Sequence, residues 1–232
     1  KGLISMAPRI VALVPMRHHS VRVEGKNYRM FGGKPLFHHI VHALSQCPQI
    51  DETAIDTDSG TIAEDVERAF PDVRLIERPA HLCADTVPMH EILLHDVQQV
   101  EADLYLQTHS TNPLLRADTI GEALDAFLGE TVAYDSLFGV TRLQVRLWDQ
   151  LALPVNHNPN ILLRTQDLPP VYMENSNLYV FSREILEKRR NRIGERPMMF
   201  EIDTLEAWDI DDESGFRIGE LIYQSRLSPD AG

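Results

Sequence analysis

Short apolar runs alternate with amphipathic stretches along the first 130 residues of the chain. Residues 10–15 form an almost continuous apolar run ending in proline, which is typical of a strand buried on both faces of a parallel sheet. Residues 35–45 follow, with Leu36, Ile40 and Leu44 on one helical stripe. The rhythm continues with predicted strands at 53–56, 73–76 and 104–107 and predicted helices at 60–70 (capped by Ser59), 89–100 and 117–128. Four rounds of strand then helix predict an α/β fold with a right-handed, doubly wound, mostly parallel sheet.

The alternation stops after a further predicted strand at residues 136–140. Residues 142–172 contain four prolines and show no sustained period. An irregular stretch of this length inside a compact domain usually serves a function or an interaction. Regular patterns then return, and they predict a strand at 177–181, a helix at 182–190, a short strand end at 208–210 and a closing helix at 214–225.

The composition limits the class of protein. Of 232 residues, 43% are hydrophobic and 25% are charged, which indicates one soluble domain, predicted over residues 6–232 with Met6 as the native start and residues 1–5 as a leader. The formal charge of −13 argues against a nucleic-acid or anionic-membrane partner. No apolar run approaches the length of a membrane span or a secretory signal, so we expect a cytoplasmic protein. Cys47 and Cys83 have no metal or redox spacing and are expected to be buried hydrophobes.

The loop after the first predicted strand concentrates positive charge. Its sequence, PMRHHSVRVEGKN over residues 15–27, contains Arg17, Arg22 and Lys26 in an otherwise acidic chain. Ligands of open α/β sheets bind at the carboxyl ends of strands, so this cluster predicts a site for an anionic substrate. A solvated loop with scattered charges is the alternative. The loop is neither GxxxxGK[ST] nor GxGxxG, and the paired glycines Gly32 and Gly33 more simply turn the chain into the next helix.

Two acidic residues near the end of the chain form a candidate metal site. Asp209 and Asp211 lie two residues apart in WDID, and on an extended segment their carboxylates project from the same face. Such a pair offers what Mg²⁺ (or Mn²⁺) takes from a protein, with water and substrate phosphate completing the coordination. The alternative is an exposed acidic turn that favours the start of the last helix electrostatically. Elsewhere, HExxH and GxSxG are absent from the sequence, and Asp58 or Ser59 is expected to cap a helix.

Seven segments in order resemble the acylneuraminate cytidylyltransferases, the synthetases of CMP-sialic acid and related 2-keto sugar acids. They are VPMRHHSVRVEGKN for the family's P-A-R-G-G-S-K-G-x-P-x-K-N, GGKPLFHHIVHAL for G-K-P-L and its helix, DTDS for S-T-D-S, RPAHLCADT for R-P-x-x-L-x-x-D-T, LQTHSTNPLLRADTI for L-Q-x-T-S-P-L-R, ENSNLYVF for N-G-A-I-Y, and WDIDDESGF for I-D-I-D-T-x-x-D. Each match alone is weak, but together they cover about 200 residues.

The resemblance implies a Rossmann-like nucleotidyltransferase fold and assigns roles to matching positions. Arg17 and Ser20 would face the triphosphate, Lys26 and Asn27 would lie beside the nucleotide, and Arg78 would help to hold it. Gln107 would reach toward the sugar acid, and Asp209 and Asp211 would hold the metal. Residues 142–172 fall where the family builds a dimerisation arm, so the chain is predicted to form a homodimer in which Arg164 and Gln166 contact the sugar acid across the interface.

The implied reaction is attack of a 2-keto sugar acid's anomeric hydroxyl on the α-phosphorus of CTP, with release of pyrophosphate. Arg17, Arg22 and Asp211 are the residues expected to act in catalysis, through charge stabilisation. The sequence departs from the family where Val21 replaces the phosphate-binding lysine and His18-His19 replace a glycine pair; Arg22 is a candidate substitute for the lysine. Asp56, Asn112 and Ser176 are further departures. Two alternatives stay open: a non-catalytic relative that binds nucleotide or sugar, and a metal-dependent glycosyltransferase.

Overall fold

A computed structural model describes residues 7–227, in which nine strands and six α-helices are found. The strands are β1 (Ile10–Met16), β2 (Met30–Phe31), β3 (Lys34–Pro35), β4 (Glu52–Thr57), β5 (Arg74–Glu77), β6 (Leu104–Thr108), β7 (Ser136–Leu143), β8 (Val171–Phe181) and β9 (Pro197–Glu201). The helices are α1 (Leu36–Ser45), α2 (Gly60–Ala69), α3 (Met89–Gln99), α4 (Ala117–Gly129), α5 (Arg183–Arg189) and α6 (Glu213–Leu227).

Seven of these strands form one mixed sheet in the order β5-β4-β1-β6-β8-β7-β9. The first four strands of this order are parallel to one another, with Val14 opposite Ile55 and Leu13 opposite Gln107. β8 runs antiparallel to both β6 and β7, and β9 returns parallel to β7. The doubly wound, mostly parallel sheet predicted from the sequence is therefore confirmed, with an antiparallel strand β8 inserted next to its centre.

The core lies on both faces of the central strand β1. Ala12 and Val14 face one side, where α1 and α4 contribute Ile40 and Leu124, whereas Val11 and Leu13 face the other side. Successive side chains of a strand point to opposite faces, so a strand covered by helices on both sides must be apolar throughout. This packing fixes the carboxyl end of β1, from which the basic loop leaves.

Most predicted elements are confirmed to within one or two residues. Three differ, one of them being β7, which ends three residues beyond its predicted end, at Leu143, and three strands were not predicted. The predicted strand end at 208–210 is wrong: the backbone of Ile210 donates to the Thr111 carbonyl (2.9 Å) and accepts from Lys26 Nζ (2.7 Å), so loop contacts replace strand pairing. β8 begins six residues before its predicted start, at Val171. The hairpin of β2 and β3, which turns at Gly32, and the edge strand β9 were not predicted.

Several smaller expectations also have outcomes. Cys47 is buried as expected, whereas Cys83 is partly exposed, because it follows a short 3-10 turn at the surface rather than lying in a helix or strand. Among the described helices, none combines the length and the apolar character that a membrane span requires. The predicted leader at 1–5, Met6 and the end of the predicted domain at 228–232 lie outside the described residues.

Candidate active site

A cavity of about 390 Å³ opens where β1 and β6 end. Its wall includes all six residues that the sequence predicts for nucleotide binding, namely Arg17, Ser20, Arg22, Lys26, Asn27 and Arg78. Residues of the first loop form one side, and His109, Ser110 and Thr111, which follow β6, form another. The convergence of strand ends therefore forms a cavity where the sequence predicts a site.

Gly25 shapes the part of the loop that carries Lys26 and Asn27. Its φ is +59°, and a Cβ atom there would lie 2.8 Å from the ring of Tyr28, so both the backbone conformation and the space favour glycine. The chain then makes a 3-10 turn over Lys26–Tyr28. This turn buries Lys26 and Asn27 at the base of the loop instead of leaving them in solvent.

Asn27 ties the loop to the end of β6. Its Nδ2 donates to the Arg17 carbonyl (2.7 Å), and its Oδ1 accepts from the Ser110 hydroxyl (2.7 Å). Both groups of the amide are thus occupied within the protein. Asn27 therefore serves in this structure as a brace for the backbone of the loop.

The histidine pair, which departs from the family's glycines, is anchored on one side. His18 stacks on Tyr28 at 5.3 Å, its Nδ1 lies 2.7 Å from the Ser59 hydroxyl, and its backbone N–H donates to the Asp58 carboxylate (2.7 Å). Ser59 also caps α2 by accepting from Ile62 N (3.3 Å), which confirms its predicted role. The loop is therefore held against the start of α2.

Two of the three loop cations have carboxylate partners. Arg17 pairs with Asp85, and Arg22 Nη2 lies 2.6 Å from Asp211 Oδ1. Val21, the position of the family's lysine, is 86% exposed. The positive charge of the loop near the acidic residues Asp209 and Asp211 thus comes from Arg22 and Lys26, which both follow the uncharged Val21 in the sequence.

The predicted metal ligands Asp209 and Asp211 are not lining residues of the cavity, but each contacts one that is, and the two differ in environment. Asp209 hydrogen-bonds to Thr111, which lines the cavity, and its Oδ1 is buried with no partner among the described residues. Burial raises the pKa of Asp209 above its usual range, and the nearby Asp211 carboxylate adds to this, whereas Thr111, Lys26 and Arg22 oppose it. Asp211 is exposed. Two hard carboxylate ligands, one with an unused buried oxygen, fit a divalent cation such as Mg²⁺.

Lys26 lies between these acids and the cavity. Burial lowers the pKa of Lys26, while Asp209 and Asp211 raise it and Arg22 and Arg17 lower it further. Its ammonium donates to the Ile210 carbonyl (2.7 Å). Lys26 is thus a buried cation whose charge is balanced by the carboxylates of Asp209 and Asp211.

Arg78 reaches the cavity from the end of β5. It is 4% exposed and its Nε donates to the Asp56 carboxylate at the end of β4. The Nη1 group of Arg78 has no hydrogen-bond partner in the part of the chain that the structure describes. An orphaned buried donor of this kind calls for an explanation, and Arg78 lines the cavity where the sequence predicts a nucleotide.

Gln107, predicted to reach the sugar acid, is fully buried behind the cavity wall. Its Nε2 donates to the Thr108 carbonyl (3.0 Å) and to His109 Nε2 (2.9 Å), and its Oε1 accepts from Arg192. These bonds define the amide orientation and leave His109 with its proton on Nδ1. Burial lowers the pKa of His109 to about 3, helped by the charges of Arg192 and Lys26, so the ring is neutral.

Sequence reasoning missed Arg192 and its surroundings. The guanidinium of Arg192 lies 3.5 Å from the centre of the Tyr179 ring, and the Tyr179 hydroxyl donates to Glu174. Burial raises the pKa of Tyr179 to about 12. These residues come from β6, β8 and the loop after α5, so no local pattern links them. The contact of the partly buried Arg192 with the predicted sugar-acid residue Gln107 is therefore visible only in the folded chain.

The remaining predicted substrate residues lie on the irregular segment. Arg164 and Gln166 are exposed beside a 3-10 turn over Thr165–Asp167, and Arg164 pairs with Asp167 (2.7 Å). Neither lines the cavity within one chain. Their predicted contact with substrate across a dimer interface stays a prediction.

Comparisons with known proteins show which family the sequence of this chain matches. A family model described as cytidylyltransferase matches residues 11–227. CMP-N,N'-diacetyllegionaminic acid synthase of Legionella pneumophila subsp. pneumophila is 29% identical over 195 residues, covering 78% of this chain and 82% of that protein. N-acylneuraminate cytidylyltransferase A of Danio rerio is 25% identical; the match covers 91% of this chain, which spans half the length of that relative.

Solved structures show the same fold. CMP:2-keto-3-deoxy-manno-octonic acid synthetase complexed with CTP superimposes with a TM-score of 0.72 at 14% identity, covering 94% of this chain and all of that one. The 4-diphosphocytidyl-2C-methyl-D-erythritol synthase of Anaerococcus prevotii has a TM-score of 0.69 at 12% identity, covering 94% of this chain and 97% of that one. The Rossmann-like nucleotidyltransferase fold predicted from the sequence is confirmed. The chain belongs to the cytidylyltransferase family and is a nucleotidyltransferase enzyme.

Proposed function

We propose that this enzyme transfers CMP from CTP to the anomeric hydroxyl of a 2-keto sugar acid. The resemblance to acylneuraminate cytidylyltransferases and the names of the similar proteins support this substrate class. A cytoplasmic homodimer is part of the same proposal. Membership of the cytidylyltransferase family argues against the glycosyltransferase and the non-catalytic alternatives.

The observation that carries the proposal is the concentration of cations around one cavity. Arg17, Arg22, Lys26 and Arg78 all line it, in a chain whose formal charge is −13. A triphosphate brings about four negative charges at neutral pH, and the acidic protein as a whole repels it. Local cations at the cavity therefore decide whether the nucleotide binds. Arginine supplies a fork of donors to phosphate oxygens and lysine a point charge.

In the proposed reaction the hydroxyl of the sugar acid attacks the α-phosphorus in line with the leaving pyrophosphate. The bond between the sugar oxygen and the α-phosphorus forms as the bond from this phosphorus to the bridging oxygen breaks, and the proton of the sugar hydroxyl is released to solvent. The protein's task is to hold the reactants in line and to stabilise charge on the leaving group. Arg17 and Arg22, on the first loop, carry the guanidinium groups suited to the leaving pyrophosphate, and Lys26 is already desolvated beside the acidic segment.

Asp209 and Asp211 are the residues that would hold Mg²⁺ or Mn²⁺. The ion supplies charge neutralisation on phosphate oxygens when it is bound. Asp211 would then share or release its present partner Arg22, which frees that guanidinium for phosphate. The unpartnered Oδ1 of Asp209 and the burial that raises its pKa support this assignment.

The sugar acid is proposed to bind on the side of the cavity formed by His109. Behind it, the buried Gln107 and the partly buried Arg192 place donor groups next to the ring of Tyr179. A carboxylate next to an anomeric centre requires such donors. Arg164 and Gln166 are proposed to join this site from the partner subunit.

The direct test is identification of the product. The protein is incubated with CTP, Mg²⁺ and N-acetylneuraminic acid, and the mixture is analysed by mass spectrometry and phosphorus NMR. A CMP-linked sugar acid and an equal amount of pyrophosphate support the proposal. Free CMP or CDP without a sugar conjugate, when several 2-keto sugar acids have been supplied, would reject it.

A further inference from the structure

A buried cluster of charged groups lies behind Arg78 and outside the loop described above. Asp56 at the end of β4 and Asp96 on α3 are each 1% exposed, and His95 lies next to them on α3. The cluster is connected to the cavity through Arg78, which lines it. Its carboxylates have no assigned part in the proposed reaction.

The hydrogen bonds of this cluster are incomplete. Asp56 Oδ1 accepts from Arg78 Nε, and the Asp56 carbonyl accepts a long bond from Nη2 (3.5 Å). Within residues 7–227, Asp56 Oδ2 and both oxygens of Asp96 have no donor, although the two carboxyl groups lie within hydrogen-bonding reach of each other. Two carboxylates cannot bond to each other unless one of them carries a proton. A hydrogen bond between the carboxyl groups of Asp56 and Asp96 therefore requires one proton on either of them.

We propose that Asp56 and Asp96 share one proton, and that Asp96 thereby acts as a positioning residue for Arg78. With one proton the two carboxyl groups and the guanidinium are together neutral, as a site this deeply buried requires. Asp56 then keeps its charge for the Nε donor of Arg78, and the Nη1 group stays free for a ligand in the cavity. This functional part rests on the proposed nucleotide site.

A metal ion is the competing way to complete the cluster. Ligand atoms of Asp56, His95 and Asp96 lie within 4.8 Å of one another, and His95 Nε2 also lacks a partner among the described groups. Because Arg78 already neutralises one carboxylate, a divalent ion would leave this buried cluster with net positive charge. The proton gives neutrality, so charge balance favours it, and metal content becomes one outcome of the test.

The protonated state has a definite consequence for stability. Burial and the neighbouring Asp56 carboxylate raise the pKa of Asp96 far above its usual range, against an opposing effect of Arg78; His95 is the other titratable group at the cluster. In the unfolded chain an aspartate loses its proton above about pH 4. The folded state keeps it, so this group makes stability fall as pH rises from about 4 through the raised pKa.

Ionisation of Asp96 also has a consequence for nucleotide binding. A second carboxylate charge beside Arg78 would attract the free Nη1 group and withdraw it from the cavity. The affinity for CTP should therefore fall at high pH in the wild type. Asp96→Asn keeps a donor toward Asp56 but cannot ionise, so it should remove this part of the pH dependence.

The experiment compares Asp96→Asn, Asp56→Asn and the exposed control Asp72→Asn. The free energy of unfolding in urea, measured between pH 5 and 9 without nucleotide, tests the shared proton. The affinity for CTP, measured by calorimetric titration over the same pH range, tests the role of Arg78. We expect Asp96→Asn to lose stability less with rising pH than wild type, and its affinity for CTP to fall less between pH 7 and 9 than that of the wild type. Asp56→Asn, which removes the partner of Arg78, should weaken CTP binding about tenfold.

Three results would overturn the proposal: the wild-type pH slope in Asp96→Asn, a chelator-removable metal ion in purified protein that Asp96→Asn loses and Asp211→Asn retains, or no protonated carboxyl band in the wild-type infrared spectrum at pH 7. The infrared measurement needs no variant and so covers the case in which Asp96→Asn does not fold. Absence of CTP binding with the pH slope as expected would instead count against the proposed function alone.

Discussion

Arg22 and Asp211 form an ion pair of 2.6 Å that joins the first loop to the acidic segment before α6. Their side chains are 63% and 56% exposed, so the pair contributes little to folding stability. Each group therefore stays available for a stronger partner: phosphate for Arg22 and a cation for Asp211. Joint binding of nucleotide and metal would exchange this contact for two charge-assisted ones.

Replacing Arg22 with alanine tests whether it substitutes for the lysine absent at Val21. We expect Arg22→Ala to weaken CTP binding or turnover by roughly ten- to a hundred-fold, about 1.5–3 kcal/mol, because a charge-assisted phosphate contact is lost. Val21→Lys should be neutral or mildly restorative in that background. Initial rates over a CTP concentration series provide the measurement.

Arg29→Ala is the matched control for this prediction. Arg29 is also paired with a carboxylate at the start of α6, Glu213 at 2.6 Å, but it is partly buried over the ring of Phe216 and does not line the cavity. It should leave CTP kinetics near wild type. Equal effects of Arg22→Ala and Arg29→Ala, or no effect of the former, would assign Arg22 to the solvated surface.

Removing one carboxylate from the pair Asp209 and Asp211 should reduce the acceleration of the reaction by Mg²⁺. We expect Asp211→Asn to lower kcat about 100-fold while the far-UV circular dichroism is unchanged, because charge neutralisation on the phosphates is lost. The dependence of rate on Mg²⁺ concentration is measured with Glu67→Gln, an exposed acid on α2, as the control. Wild-type activity of Asp211→Asn, or of the wild type in excess chelator, contradicts the metal assignment.

The neutral ring of His109 predicts a loss of stability in acid. The unfolded histidine takes up a proton below about pH 6.5, whereas the folded one does so only near 3. Stability from this group is therefore present above 6.5 and is lost as pH falls, by at most about 1.4 kcal/mol per pH unit. Urea unfolding at pH 5 and 7 should show a smaller decrease for His109→Gln than for wild type or for the exposed-site variant His81→Gln. An unchanged decrease would show that His109 charges readily.

The sequence predicted the sheet because its order follows from local patterns. The apolar run at 10–15 must be buried on both faces, and an amphipathic helix of ordinary length after each strand returns the chain in parallel. The pattern gave no signal for β9, whose alternation is interrupted by Met198 and Met199. It also did not show that the segment around Ile210 would bond to loop residues, because those contacts join residues about 100 or more positions apart.

The residues of the candidate site that lie on one loop could be predicted from the sequence. The contacts between residues far apart in the sequence could not. Arg17, Arg22 and Lys26 are close in sequence and converge by strand geometry. The contact of Gln107 with Arg192 spans 85 positions, so only the folded chain shows it. The burial of Asp96 is indicated by the sequence, since it lies on the same helical stripe as the buried residues Leu93 and Val97.

The irregular segment between β7 and β8 predicts a homodimer. It exposes Leu151, Leu153 and Leu162, apolar side chains that a second copy would cover. Leu162→Asp should therefore shift sedimentation toward the monomer and lower activity, since Arg164 would no longer reach the partner. Val132→Asp is the control, because Val132 is 91% exposed against 92% for Leu162 but lies outside the segment. A monomeric wild type at micromolar concentration would contradict both the predicted dimerisation arm and the proposed role of Arg164.

The central claim is that a 2-keto sugar acid accepts the CMP group, and acid-dependent release of pyrophosphate tests it most directly. Neuraminic, legionaminic, pseudaminic and deoxyoctulosonic acids are each supplied with CTP and Mg²⁺, alongside neutral sugars that lack the carboxylate. The account predicts that at least one acid raises pyrophosphate release well above the rate with CTP alone and that the neutral sugars do not. Release that is equal with and without every acid, or that follows the neutral sugars, would contradict it.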